Sequence, residues 1–150
     1  MVDILVISIS NPIKIGIYKD NILIDNIEKE GMTSDILPTI FKELLEKYKI
    51  KTITYVNTPG SYMAIKVAYV FLKTLCIVKN IKLNAASGFL FNENSPIKAL
   101  GKKYFFNKNG EVIIDFLEEK SIILDFKLPK SLDKTKFSSE TLPIYNLPAV

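Results

Sequence analysis

Residues able to do chemistry are few in this chain. They are the carboxylates Asp3, Asp20, Asp25 and Asp115, a serine in the first apolar run, Ser8, the single cysteine, Cys76, and the hexapeptide Asn57-Thr58-Pro59-Gly60-Ser61-Tyr62. Metal-assisted phosphoryl transfer or nuclease chemistry needs carboxylates that converge on a divalent cation, because hard cations favour anionic oxygen ligands. The pattern argues against convergence. Asp3 falls at a strand edge, Asp20 and Asp25 flank a hairpin, and Asp115 belongs to a later segment. There is no histidine, so the usual general base near neutral pH and the commonest metal ligand are missing. One cysteine cannot complete a zinc cluster, and Cys76 lies in an apolar helical stretch where a buried thiol is expected. These residues predict no catalytic, cofactor-binding or metal site.

The hexapeptide is the most specific feature. Pro59 fixes its own φ and drives Thr58 to an extended conformation, so a strand should end there, and Gly60 permits a positive φ at the reversal. Ser61 is placed to cap the next helix by accepting from a free backbone N–H. Amides at such a corner can hold an anion, but no Lys follows Gly60-Ser61 as a phosphate loop requires, so a structural corner of Asn57, Pro59, Gly60 and Ser61 is the reading taken.

Composition narrows the function classes. At 48% hydrophobic residues over 150 positions the chain can bury a core, and lysines interrupt every apolar run before the ~18 residues a membrane span requires. The first residues lack the basic region and cleavage site of a secretory leader, and the lone cysteine suits a reducing compartment, so a cytoplasmic protein is expected. All 20 basic residues are lysine, and the net charge is +4. Bidentate recognition of bases and phosphates favours arginine, so its absence weakens specific nucleic-acid readout, and dispersed lysine reads as a solubilising surface.

Elements follow from periodicity. Ile4–Ser10, Ile13–Lys19 and Ile22–Glu28 read as an antiparallel meander, with Asp20-Asn21 as a two-residue turn. Thr33-Ser34-Asp35 offers a helix start with Pro38 in or near the first turn. Ile36, Leu37, Ile40, Phe41, Leu44, Leu45 and Tyr48 then form one apolar face. A strand at Thr52–Val56, a helix at Ser61–Lys79 and a strand at Lys82–Ala85 complete a mixed sheet with flanking helices. This α/β order is that of ribonuclease H-like and actin-like domains. We place this lobe at residues 1–96. Residues 97–150 form a reduced second lobe: strands at 104–106, 112–117 and 122–126 around the turn Asn107-Lys108-Asn109-Gly110, then a tail from Leu128 to Val150 rich in Pro, Lys and Ser, extended over the body or partly mobile.

The second helix is apolar on more than one side. At 3.6 residues per turn, Ala64, Val67, Ala68, Phe71, Leu72 and Leu75 form the stripe expected to meet the sheet. The opposite stripe, Tyr62, Lys66, Tyr69, Val70, Lys73 and Ile77, carries too few polar groups for a solvated surface. Its lysines can lay methylenes along an apolar contact. This stripe, with Ile36, Leu37 and Ile40 of the first helix, is the expected partner-binding surface, unless the C-terminal tail covers it.

The run Asn57-Thr58-Pro59-Gly60-Ser61-Tyr62-Met63-Ala64-Ile65-Lys66-Val67-Ala68 resembles, with equal spacing, the Asn-Gly-Pro-Gly-Ser-Phe-Thr-Gly-Leu-Arg-Ile-Gly pattern of the TsaB (YeaZ) family. Ser34-Asp35-Ile36-Leu37-Pro38-Thr39-Ile40 and Ile4-Leu5-Val6-Ile7-Ser8-Ile9-Ser10 resemble the family's helix start and first strand. Together they span most of residues 1–95. The family consists of non-catalytic actin-like (ASKHA) subunits of the bacterial machinery that makes threonylcarbamoyladenosine in tRNA. The resemblance implies a heterodimer with the catalytic TsaD-type subunit through the two helices, joined by the TsaE-type ATPase. Contact with tRNA is then indirect, and a homodimer is possible when the chain is alone. Ser8 stands where actin-like phosphotransferases and ribonuclease H-like nucleases carry a metal-holding Asp. Two rival readings remain open: a lysine-rich RNA-binding module, and a degenerate phosphotransferase or nuclease of this fold.

Overall fold

The computed structural model describes residues 1–146 of the chain. Three antiparallel strands open it: β1 (Val2–Ile7), β2 (Ile13–Lys19) and β3 (Ile22–Lys29). Asp20 and Asn21 link β2 to β3 with φ of 50° and 65°, the left-handed pair that matches strand twist in a two-residue hairpin. After α1 (Thr33–Lys47) the chain returns as β4 (Ile50–Thr58), parallel to β1, and after α2 (Tyr62–Lys79) as β5 (Lys82–Ser87), parallel to β4. The five-stranded order is β3-β2-β1-β4-β5. The strands, the helices and their order follow the periodicity reading.

α1 starts at Thr33, where the sequence placed the helix start, though no side chain caps it. Met32 caps the helix without a side-chain hydrogen bond, its carbonyl accepting from Asp35 and Ile36 at 3.0 Å, and Thr33, Ser34 and Asp35 form the first turn. Pro38 therefore sits in the second turn, on the exposed side, where its missing N–H leaves the Ser34 carbonyl without its usual helical partner.

Alternation along the strands divides the core. Ile4, Val6, Ile15, Ile17, Ile53, Tyr55, Leu83 and Ala85 face the helices and pack with Leu37, Phe41, Leu44, Ile65, Ala68 and Leu72. Leu5, Ile7, Tyr18, Val56 and Ala86 face the other way and pack with Phe91 and Leu132.

A second sheet follows, built from β6 (Ile97–Lys98), β7 (Lys103–Lys108) and β8 (Glu111–Phe116), with Asn109 and Gly110 at positive φ in the β7–β8 turn. The strand expected at 122–126 does not form, and β6 takes the third place. A turn closed by Ser121 N–H on the Glu118 carbonyl carries the chain away from β8. The Ser95 hydroxyl then engages Leu124 N–H at 3.0 Å and its carbonyl at 3.3 Å, and Lys127 N–H donates to Phe91 at 2.8 Å. With those groups satisfied locally, no β8 pairing is required.

From Leu128 the chain is a strap across the face remote from the helices. It meets the β2–β3 hairpin through Leu23 N–H to Lys130 and Leu132 N–H to Asn21, both at 2.9 Å, and accepts from Tyr18 Oη at the Pro129 carbonyl at 2.8 Å. Leu132 and Phe137 fill that face. Ser138 then pairs with Ala85 on the β5 edge at 2.8 and 2.9 Å, and residues 141–146 turn onto the α2 side. Residues 147–150, the end of the segment read as a tail, lie outside the described part.

Candidate partner-binding surface

The corner between β4 and α2 sets the helix in place. β4 ends at Thr58, the Thr58–Pro59 bond is cis, and Ser61 caps α2, its hydroxyl accepting from Ala64 N–H at 3.5 Å and its carbonyl from Ile65 N–H at 3.1 Å. Gly60 plays a different part from the one expected. Its φ is not positive; a Cβ there would stand 2.5 Å from Ile9 Cγ2, so the glycine is a matter of space. Ile9 packs against all three core clusters and cannot readily move aside. Asn57 is buried, its amide donating to Leu142 at 3.0 Å and its carbonyl accepting from Ile144.

α2 is rotated from its expected setting by somewhat less than the ~100° separating successive residues. Its buried side is Ile65, Ala68, Leu72 and Cys76, whereas Val67 and Phe71 face α1, the Phe71 ring 6.0 Å from that of Phe41. The stripe assigned to a partner is thereby split. Tyr69 is half-buried with its ring 6.1 Å from Tyr55, Tyr62 lies 4.5 Å from Tyr145 of the strap, and Lys73 is half-buried. The tail thus covers one flank of the helix, the alternative weighed from sequence. Lys66 stays exposed with its ammonium 5.6 Å from the Tyr62 ring, and Val70 and Ile77 are open to solvent at 55% and 70%.

On the first helix, Leu37 and Ile40 are buried beneath it and cannot meet a partner; Ile36 packs on the same core at half burial. The apolar face of α1 was legible, but the sheet consumes it.

What remains open is a furrow of about 460 Å³ between the helices, lined by Thr33, Ser34 and Pro38 of α1 and by Met63, Lys66, Val67, Val70, Phe71 and Thr74 of α2. Thr74 turns its hydroxyl back to the Val70 carbonyl at 2.7 Å, which leaves its methyl available to the furrow. Sequence reasoning missed Met63, Val67, Phe71 and Thr74 because it assigned their side of the helix to the sheet or left it unassigned. Ile77 and Val78, at 70% and 71% exposed, continue the apolar surface toward the C-terminal end of α2. The helix carries Lys66, Lys73 and Lys79 and no acid.

A cavity of about 480 Å³ adjoins the furrow, sharing Thr33, Ser34, Met63 and Val67 and reaching Ser8, Ser10 and Asn11. Ser8 is buried, and its hydroxyl has no hydrogen-bond partner among the described residues.

Desolvation shifts the titratable groups packed beneath and beside α2. Burial pushes the Cys76 thiol up to about 11 despite the opposing Lys73, and it raises the Tyr55 phenol, with Tyr69 and Tyr145 adding to the effect. Tyr145 is also raised, by desolvation and then by Tyr62, against Lys66. A thiol held protonated is a poor nucleophile. Among the described residues no three of His, Cys, Asp and Glu group to hold a metal. Asp3 is buried and paired with Lys134 at 2.8 Å; Asp25 is exposed beside Lys47 at 3.9 Å. No helix of the described chain is long and apolar enough to cross a membrane.

The fold is α/β, of the actin-like and ribonuclease H-like type: a mixed five-stranded sheet with two helices on one face and a small antiparallel second unit. It is shared with YeaZ from Pseudomonas aeruginosa, at a TM-score of 0.60 and 10% identity over 82% of this chain. A second solved structure, described as an uncharacterized protein with similarity to peptidase YEAZ from Pseudomonas aeruginosa, matches at a TM-score of 0.55 and 10% identity over 84% of this chain. This chain spans 66% and 64% of the lengths of those two proteins. No family model and no curated protein matches the sequence.

Proposed function

We propose that this chain is a cytoplasmic scaffold subunit of TsaB type, which performs no chemistry itself and holds a catalytic TsaD-type subunit in the complex that makes threonylcarbamoyladenosine in tRNA. The observation that carries the reading is the open apolar surface of α2, from Met63 through Val70 to Ile77, beside the furrow shared with α1. Such a surface on a helix that packs well on its other sides suits a partner helix pair, with Lys66 at the rim. The YeaZ-like fold supports this reading, and so does the corner motif, because the resemblance places the same two helices at the heterodimer contact. On this reading residues 1–96 supply the partner lobe and 97–150 a reduced second lobe, whose strap lies back on the first. A TsaE-type ATPase joins the pair, tRNA is reached only through the complex, and in the absence of the catalytic subunit the same surface forms a homodimer.

Co-expression with the catalytic homologue tests the proposal. Val70→Asp places a carboxylate where the contact must exclude water, a desolvation cost large enough to abolish co-purification. Tyr69→Glu is unsuitable for this purpose, because Tyr69 packs on Tyr55 and the change strikes the fold. Equal recovery of the complex with wild type and Val70→Asp defeats the assignment of this surface.

A further inference from the structure

A second cavity, also of about 460 Å³, lies where the strap passes β4 and β5, remote from the furrow. Its walls are Lys51, Thr52, Lys82, Asn84, Lys134 and Ser139, closed on one side by the Phe137 ring. We propose that it binds a small phosphoryl oxyanion of the mono- or diphosphate class.

Charge is the first argument. Among the described residues three lysines line the cavity and no acid does. Asp3 is buried and already engaged: it accepts from the Thr52 hydroxyl at 2.5 Å and pairs with Lys134 Nζ at 2.8 Å. Asp133, next to Lys134 in the strap, is turned onto the Thr135 N–H at 3.1 Å and its hydroxyl. Lys51 and Lys82 form no ion pair among the described residues, so two positive charges remain uncompensated. Hydrogen-bonding capacity points the same way. Asn84 is buried, with an amide that can donate, and Ser139 adds an exposed hydroxyl; Thr52 directs its own proton to Asp3. Lysine recognises phosphate as a point charge, and Lys134, held by Asp3, is ordered before any ligand arrives.

Enclosure narrows the ligand class. The volume falls in the range of small-molecule sites. A nucleic-acid strand needs an open track, whereas the strap closes this cavity on one side through the Ser138–Ala85 pair and Phe137. The proposal stands apart from the scaffold reading, since neither uses a residue of the other.

Titration of the full chain with pyrophosphate and with inorganic phosphate, followed calorimetrically at low salt, tests it. One saturable site is expected, with a rise in unfolding midpoint on binding. The exposed pair Lys51→Ala/Lys82→Ala should weaken binding about tenfold or more, and Asn84→Asp should remove it by placing a negative charge in the wall. The pair Lys102→Ala/Lys120→Ala, elsewhere on the surface, should leave it unchanged. Lack of saturation overturns the proposal, as does equal weakening by the remote pair. So does binding of an RNA oligonucleotide with none of pyrophosphate, which assigns the lysines to a nucleic-acid backbone.

Discussion

The two faces of the central sheet are covered in opposite ways. On one, α1 and α2 contribute buried side chains at regular helical intervals, and the contact is almost wholly apolar. On the other, an aperiodic strap contributes Leu128, Leu132 and Phe137, and is held by backbone bonds to β3 and β5, by Tyr18 to Pro129, and by the Lys134–Asp3 pair. The difference lies in what each covering leaves over. A helix has a far side, and α2 leaves apolar groups there for another molecule. A strap is one chain thick and satisfies its polar groups against the sheet edges, leaving beside it a cavity with cationic walls.

If the helix face carries most of the stability, Phe41→Ala should have the largest effect. Its ring is buried between α1, the sheet and Phe71, and a loss of about 3–5 kcal/mol is expected, read from denaturant unfolding by far-UV circular dichroism. Next comes the corner. Gly60→Ala should cost about 1–3 kcal/mol through overlap with Ile9 Cγ2, and Ile9→Ala, which removes that carbon, should recover part of that loss in a double-mutant cycle. Additive losses in the cycle would locate the strain elsewhere.

On the strap face the effects should be smaller. Lys134→Met leaves the buried Asp3 carboxylate with Thr52 alone and should cost about 1–3 kcal/mol, less than Phe41→Ala; a larger cost than Phe41→Ala would reverse the ranking of the faces. On the helix side, where the end of the strap has crossed to α2, Tyr145→Ala removes the ring against Tyr62 and should cost about 0.5–1.5 kcal/mol. Val70→Asp should shift stability of the isolated monomer by less than about 0.5 kcal/mol, because Val70 faces solvent there, while it removes the partner contact. That dissociation of stability from assembly is the sharpest mark of a far side reserved for another chain.

The buried thiol adds a pH test. Because the folded value of Cys76 stands at about 11, above the ordinary thiol, the folded state keeps a proton that the unfolded chain releases. Its contribution is therefore constant below about pH 9 and falls as pH rises toward 11. Cys76→Ser should flatten that part of the stability curve, and disulfide reagents should reach Cys76 only after unfolding.

Periodicity made the first three strands, α1, β4 and β5 legible in the sequence, since each has one dominant apolar period and a recognisable start or stop, and α2 was legible as an element from its capped start and the length of its apolar run. Ser61 as a cap and Asp20-Asn21 as a turn were legible for the same reason: both act on neighbours close in sequence. The absence of histidine and arginine and the presence of one cysteine are also matters of sequence alone.

Tertiary structure decided the rest. Apolar on several sides, α2 contains no pattern that selects its buried face, so packing against Phe41 and the strap chose Ile65, Ala68, Leu72 and Cys76, split the expected stripe, and took Leu37 and Ile40 into the core. Gly60 is required by Ile9, about fifty residues away, and the strap's path depends on backbone groups of Asn21, Leu23 and Ala85 that no local signal in residues 128–146 could name. Local preferences act within a few residues along the chain, whereas close approach, burial and charge pairing are set by whichever distant residues the fold brings alongside.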